Sequence, residues 1–208
     1  MNSLRLAVVT AGVTQPSSTR LLADRLTEAT LGGLGEGTGA VDAQVEVIEV
    51  RDIAHALTNN VLTGFAAPEL QERIDAIVGA DALIVSTPIY SASYSGLFKV
   101  LIDVLPRDAL RDTPVLLGAT GGTARHSLAI DHALRPLFAH LGALVAPVAV
   151  FAASEDWGSV EAGRLGARID RAGQAFARLV AGTAPPPVLD PFEDVTPFES
   201  LLAEASRD

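Results

Sequence analysis

The sequence predicts an open, doubly wound α/β fold, a parallel sheet covered by helices on both faces. Short apolar runs of strand length recur along the chain, and the stretches between them space their apolar residues as helices do. Turns rich in glycine, proline and hydroxyl residues follow several of these runs, as at the carboxyl ends of parallel strands. Hydrophobic residues make up 49% of the chain and charged ones 19%, enough to bury a substantial core within one main domain.

Leu4–Thr10 reads as the first strand. It resembles a weak signal peptide too, but no strongly basic region precedes it, and a strand turning at Gly12 is the better reading. Ser17–Ala29 follows as a helix with Leu21, Leu22, Leu26 and Ala29 on one face. Gly32-Gly33-Leu34-Gly35-Glu36-Gly37-Thr38-Gly39 reads as a surface loop. Gln44–Val50 alternates as the second strand, and Pro68 opens a helix that stops near Gly79. Ala82–Ser86 is the third strand, Tyr94–Leu105 a helix, and Pro114–Ala119 the fourth strand. A helix over His126–Leu141, a fifth strand over Leu144–Val150 and a long amphipathic helix over Val160–Val180 complete the alternation. Five strands with these connections suit a flavodoxin-like order, 2-1-3-4-5. The main domain is thus expected over residues 1–182. Residues 183–208 read as a Pro-rich arm, with a capping box at Thr196-Pro197-Phe198-Glu199 opening a short helix. That arm packs on its own domain or on a second subunit.

Composition narrows the function. A net charge of −10 argues against nucleic acid or an anionic membrane as partner. Without cysteine there are no disulfides, thiolate metal sites or cysteine nucleophiles. The longest apolar run, Leu141–Ala153, contains Pro147 and is too short to span a membrane, so a cytoplasmic protein is expected. His55, His126, His132 and His140 lack metal-ligand spacing, so no metal is expected, and no Gly-x-Ser-x-Gly elbow points to a hydrolase.

In the predicted order, three loops converge at one edge of the sheet. The first, Gly12-Val13-Thr14-Gln15-Pro16-Ser17-Ser18-Thr19, offers hydroxyls and the free amides of a helix start, a setting that binds phosphate. It has neither a P-loop lysine nor a G-x-G-x-x-G, which suits a phosphate that stays intact; an ordinary serine-rich N-cap explains it equally simply. The second, around Thr87-Pro88-Ile89-Tyr90-Ser91, presents a flat aromatic ring. The third, Thr120-Gly121-Gly122-Thr123, exposes backbone that could meet a ligand edge, or is simply a tight strand-to-helix turn.

Thr87-Pro88-x-Tyr90, then Ser95-Gly96-x-x-Lys99, then Ala119-Thr120-Gly121-Gly122-Thr123-x-x-His126, resembles the NAD(P)H-dependent FMN reductase family over residues 4–180. Within it, the chain is most similar to reductases that supply reduced flavin to partner monooxygenases, the alkanesulfonate type and those paired with luciferase-like enzymes. The resemblance implies FMN as cofactor and NADPH or NADH as co-substrate, with hydride passing to the flavin N5. It implies that Ser17, Ser18 and Thr19 hold the FMN phosphate while Thr10 and Gly12 shape their loop. Pro88, Ile89, Tyr90 and Ser91 would then line the ribityl chain and one ring side, and Thr120, Gly121, Gly122 and Thr123 the pyrimidine edge. No catalytic acid or base is assigned, because flavin carries the chemistry. Many relatives have an arginine in the first loop where this chain has Val13-Thr14-Gln15-Pro16; Arg20 could substitute for it or serve only to solvate the helix. The resemblance also implies a homodimer or homotetramer, with Lys99, the chain's only lysine, pairing with Asp103 across subunits or within its helix, and a flavin-dependent monooxygenase as partner. A reductase that retains FMN and reduces quinones, azo dyes or chromate is the enzymatic alternative, and a flavodoxin-like electron carrier the non-enzymatic one.

Overall fold

A computed structural model describes residues 3–38, 42–158 and 161–182. The elements in chain order are β1 (Leu4–Thr10), α1 (Ser18–Thr38), β2 (Ala43–Glu49), α2 (Ala54–Thr63), α3 (Pro68–Val78) and β3 (Ala82–Tyr90). After these come β4 (Ser93–Tyr94), α4 (Gly96–Val104), β5 (Pro114–Gly121), α5 (Arg135–His140), β6 (Leu144–Val145), β7 (Val150–Ala153) and α6 (Glu161–Ala181). The sheet runs β2-β1-β3-β5, and β6 and β7 share the fifth position, both parallel to β5. This is the flavodoxin-like order, realised with seven strand segments rather than five because the fifth strand is broken and β4 adds an antiparallel hairpin to β3. The expected arm over 183–208 lies outside the described residues.

Alternation along the strands divides the core. Leu6, Val8, Ile84 and Leu116 face α1 and α6, where they meet Leu22, Leu26, Leu165, Ile169 and Phe176. Val9, Leu83, Val85 and Leu117 point the other way, onto Leu57, Ile74, Phe98 and Phe138. Both faces are thus dry, which is why the strands read as continuous apolar runs.

Four expectations are corrected. The glycine-rich stretch is not a loop: α1 continues through it to Thr38. Gly33 serves helix packing, since a Cβ there would lie 2.9 Å from the Cβ of Ala177 and 3.1 Å from the Cα of Gln174, whereas Gly32 and Gly35 face open space. On the facing helix, a Cβ on Gly173 would sit 2.5 Å from that of Ala29. Close approach of α1 to α6 offsets the roughly 1 kcal/mol that each glycine costs a helix. A helix that was not anticipated, α2, precedes α3.

The helix expected over 126–141 is instead a short 3₁₀ turn (Ala124–His126), a π-helical segment (Ile130–Leu134) and α5. Pro136 explains the widening, because it lacks an N–H and its ring crowds the carbonyl four residues back. The fifth strand breaks around Pro147, which cannot donate to the ladder. Arg135 repairs the break, its guanidinium donating to the carbonyls of Ala146 and Pro147, each at 2.8 Å.

Candidate functional site

The first loop folds back onto the start of α1. A Cβ on Gly12 would run into Ser17 Oγ and lie 3.1 Å from Thr19 Cβ and 3.2 Å from Ser17 Cβ, so glycine favours that close approach. Ser17 is the helix cap, its Oγ accepting from the Arg20 amide at 3.2 Å. The amides of Ser18 and Thr19 thus belong to the unsatisfied first turn, where the helix dipole favours an anion. Within the loop, Thr14 Oγ1 donates to the Pro16 carbonyl at 3.1 Å, and the Gln15–Pro16 peptide is cis.

The second loop is a hairpin. β3 extends past the expected Ser86 to Tyr90 and pairs with β4, Ile89 opposite Tyr94 and Tyr90 opposite Ser93. Ser91 and Ala92 make the turn at φ 49° and 65°, the left-handed region expected of both central residues of a type I′ turn. Ser95 anchors the returning strand: its amide donates to Thr87 Oγ1 at 3.2 Å, and its own Oγ caps α4 by accepting from the Phe98 amide at 3.2 Å. Tyr94 packs edge-on against Phe98 with ring centroids 5.8 Å apart, whereas Tyr90 stays 49% exposed.

At the third loop, Thr120 is buried, and its hydroxyl lies 2.8 Å from that of Thr19, tying the end of β5 to the first turn of α1. A Cβ on Gly121 would come within 2.8 Å of Phe151 Cζ, while the space around Gly122 is open. Thr123 caps the short turn after β5 by accepting from the Arg125 amide at 3.1 Å.

These loops line a small cavity of about 190 Å³. Gly12, Ser18 and Thr19 reach it from the first loop, Pro88, Ile89 and Tyr90 from the second, and Thr120, Gly121 and Gly122 from the third. The remaining predicted site residues stand off its wall. Ser17 and Thr123 act as caps, Ser91 makes the hairpin turn, and Thr10 is buried at the end of β1. Val13, Thr14 and Ser154 complete the wall. Ser154 escaped the sequence reading because the broken fifth strand brings its segment beside β5 two residues later in register than a straight strand would. Asp156 fixes that segment by accepting from the Ala153 amide at 2.8 Å and pairing with Arg168 at 3.0 Å.

Charge stands behind the site and not in it, for no lining residue is ionisable apart from the Tyr90 phenol. Arg20 neither replaces a loop arginine nor lies free in solvent. It pairs with Asp24 at 2.7 Å and Glu49 at 2.6 Å, and hydrogen bonding to Asp24, aided by Glu49, raises its pKa above the ordinary guanidinium value. Lys99 pairs with Asp103 one turn along the same helix.

The residues present fit a flavin monophosphate. Helix-start amides and the Ser18 hydroxyl suit its phosphate, Tyr90 and Pro88 offer flat surfaces to its ring, and open backbone at Gly122 suits a ring edge that carries acceptors. Thr10 Oγ1, at the carboxyl end of β1, and Ser86 Oγ, opposite it midway along β3, are buried without a hydrogen bond, a polar pair at the switch point of the sheet.

Comparison with known proteins points the same way. A family model described as NADPH-dependent FMN reductase matches residues 4–158. The chain is 41% identical over 180 residues to an FMN reductase (NADPH) of Pseudomonas aeruginosa, covering 86% of this chain and 93% of that protein. It is 38% identical over 178 residues to the NADH-dependent FMN reductase SfnE of Pseudomonas putida, covering 85% and 92%. Among solved structures, an oxidoreductase from Corynebacterium diphtheriae superposes with a TM-score of 0.83 at 39% identity, over 88% of this chain and all of that one. The apo form of the NADH:FMN oxidoreductase EMOB superposes with a TM-score of 0.67 at 31% identity, covering 88% and 92%. By sequence, by fold and by the arrangement of its three loops, the chain belongs to the NADPH-dependent FMN reductase family.

Proposed function

We propose that this FMN reductase binds FMN across the three loops, accepts hydride from NADPH or NADH, and releases reduced FMN to a flavin-dependent monooxygenase. The observation that carries the reading is the meeting of Gly12, Ser18, Pro88, Tyr90, Gly121 and Gly122 around one cavity from three separate strand ends. When bound, the flavin supplies hydride acceptance at N5. The chain's own residues do the rest. Ser18 and Thr19 hold the phosphate through backbone amides, and the hydroxyl of Ser18 adds a donor. Pro88, Ile89 and Tyr90 orient the ring, and Gly121 and Gly122 meet its pyrimidine edge. Ser17, Thr10, Ser91 and Thr123 act through the loops they shape.

Release of the flavin is supported by the cavity's single aromatic wall residue, the half-exposed Tyr90. An electron carrier shields both ring faces, so this wall favours the exchanging reductase. Self-association into a dimer or tetramer is part of the proposal: Leu62 and Phe65, at the end of α2 and just after it, are 78% and 81% exposed, a placement that favours a covering surface. Stopped-flow oxidation of NADPH and NADH with FMN titrated tests the reading. The expected result is saturable turnover with FMN as substrate; negligible turnover with either donor would overturn it.

A further inference from the structure

We propose that Arg51, outside the cavity, is a positioning residue that sets the enzyme's preference for phosphorylated flavin by clamping the first loop from behind. The inference rests on the flavin reading above. Arg51 lies two residues past the end of β2, and its side chain is only 18% exposed. Its guanidinium faces the loop along one edge: Nη1 donates to the Thr14 carbonyl at 3.4 Å and to the Gln15 side-chain oxygen at 3.0 Å, with the amide oriented by its hydrogen-bonding pattern. Nη2 also meets the Gln15 side-chain oxygen and pairs with Glu49 at 2.7 Å, while Nε lies 3.3 Å from an Asp52 carboxylate oxygen, an ion pair without a hydrogen bond.

Glu49 is equally enclosed at 18% exposure, and it is shared. One carboxylate oxygen takes Arg51 and the other takes Arg20 at 2.6 Å, and the Arg20 amide is the group that Ser17 caps. A continuous set of bonds therefore runs from Thr14 and Gln15 through Arg51, Glu49 and Arg20 to the first turn of α1. It joins the two segments between which the phosphate is held.

This set adds no positive field. Two guanidiniums face three carboxylates, those of Asp24, Glu49 and Asp52. Its effect is geometric, and geometry matters more here than in a site with its own cation. With no charged side chain in the wall, the phosphate depends on amides and hydroxyls whose strength falls steeply with misalignment. The planar fork of arginine spans carboxylate and carbonyl together, which a lysine cannot do.

Equilibrium binding of FMN and of riboflavin to the purified full-length chain, followed by flavin fluorescence, tests the proposal on wild type, R51A, R51K and E49Q. Wild type is expected to prefer FMN. R51A should weaken FMN binding by about tenfold, the loss of one charge-assisted hydrogen bond's worth of alignment, and leave riboflavin within about twofold. R51K should behave like R51A, and E49Q should fall between. Unchanged FMN-to-riboflavin ratios in the variants would overturn the proposal, as would full rescue by R51K, which would make Arg51 a charge and not a clamp. Equal loss of both flavins would overturn it too, showing a merely structural role. If R51A does not fold, R51K and E49Q decide the matter by the same ratio. Failure of wild type itself to bind FMN would defeat the flavin reading instead, a distinct result.

Discussion

Around the first loop the chain is tied down from several directions, while the second loop ends in a strained hairpin that solvent reaches. Ser17 caps α1, Thr19 bonds to Thr120, and Arg51 grips Thr14 from outside. At the second loop, Tyr90 is half exposed, and the turn beyond it places Ser91 and Ala92, neither of them glycine, in left-handed backbone. Left-handed conformations cost residues that carry a Cβ, as serine and alanine do, roughly 1–2 kcal/mol each. The contrast matches what the ligand's two ends require. In the proposed binding mode the phosphate is recognised by fixed donors, which suits a loop already tied down. A ring that must be reached by a second, large nicotinamide ligand needs one side left uncovered.

The largest effect is expected where the first, tied-down loop is joined to the third. Thr19→Val or Thr120→Val alone leaves one buried hydroxyl without its partner and should cost about 1–3 kcal/mol in denaturant unfolding. The double variant should cost less than the sum, since both polar groups leave together. Additive losses would show that this bond does not join the loops. Next is Tyr90→Ala. With the side chain so exposed, stability should stay within about 0.5 kcal/mol. FMN affinity should nonetheless fall about fivefold, the equivalent of ~1 kcal/mol of aromatic contact, and Tyr90→Phe should restore it. Unchanged FMN binding by Tyr90→Ala would remove the ring from the site.

Much of this contrast was legible in the sequence, because it lies in residues adjacent along the chain. Apolar runs marked the strand positions, and hydroxyl and glycine clusters at their carboxyl ends marked the loops. Elements that depend on a distant partner were not legible. Nothing local to Gly33 announces that Ala177 and Gln174 will press against it, so a helix read as a loop. The break at Pro147 was visible only as a proline; its repair by Arg135 is a tertiary event. α2 buries only Leu57 among its fully enclosed side chains and leaves Val61 and Leu62 outside, so its apolar pattern is blurred. Arg51, next to an ordinary strand, reaches the first loop from 37 residues away, a juxtaposition that no spacing rule encodes.

A smaller effect is expected from Ala92→Gly, which sharpens the comparison from the exposed side. Glycine adopts φ near 65° without a Cβ clash, so the substitution should stabilise the fold by about 0.5–1 kcal/mol, less the extra entropy of glycine in the unfolded chain. The check is a thermal melt, with FMN turnover measured alongside. A lower melting temperature would mean that the turn is not strained. A higher one with slower turnover would mean that the strain holds Tyr90 in place.

The smallest effect belongs at the opposite end of the sheet, which serves as the reference for both loops. Arg5 and Asp81 pair at 3.1 Å beside the amino ends of β1 and β3, and Asp81 also accepts from the Arg5 amide at 2.8 Å. The Arg5 side-chain hydrogen bond, followed by that amide, holds the Asp81 carboxyl below the usual carboxylate range. A depressed carboxyl pKa contributes stability that is fully present above the ordinary value of about 3.9 and is lost as pH falls through the folded-state value. Asp81→Asn should therefore melt slightly below wild type at neutral pH, and the two should converge as the pH falls through the lowered folded-state value. Because both side chains are more than a third exposed, high salt should shrink the difference further. FMN affinity should not change at any pH, since the pair lies a strand's length from the loops. A flavin-binding defect in Asp81→Asn would mean that the first loop is held by the whole of β1 and not by its local ties at Ser17, Thr19 and Arg51.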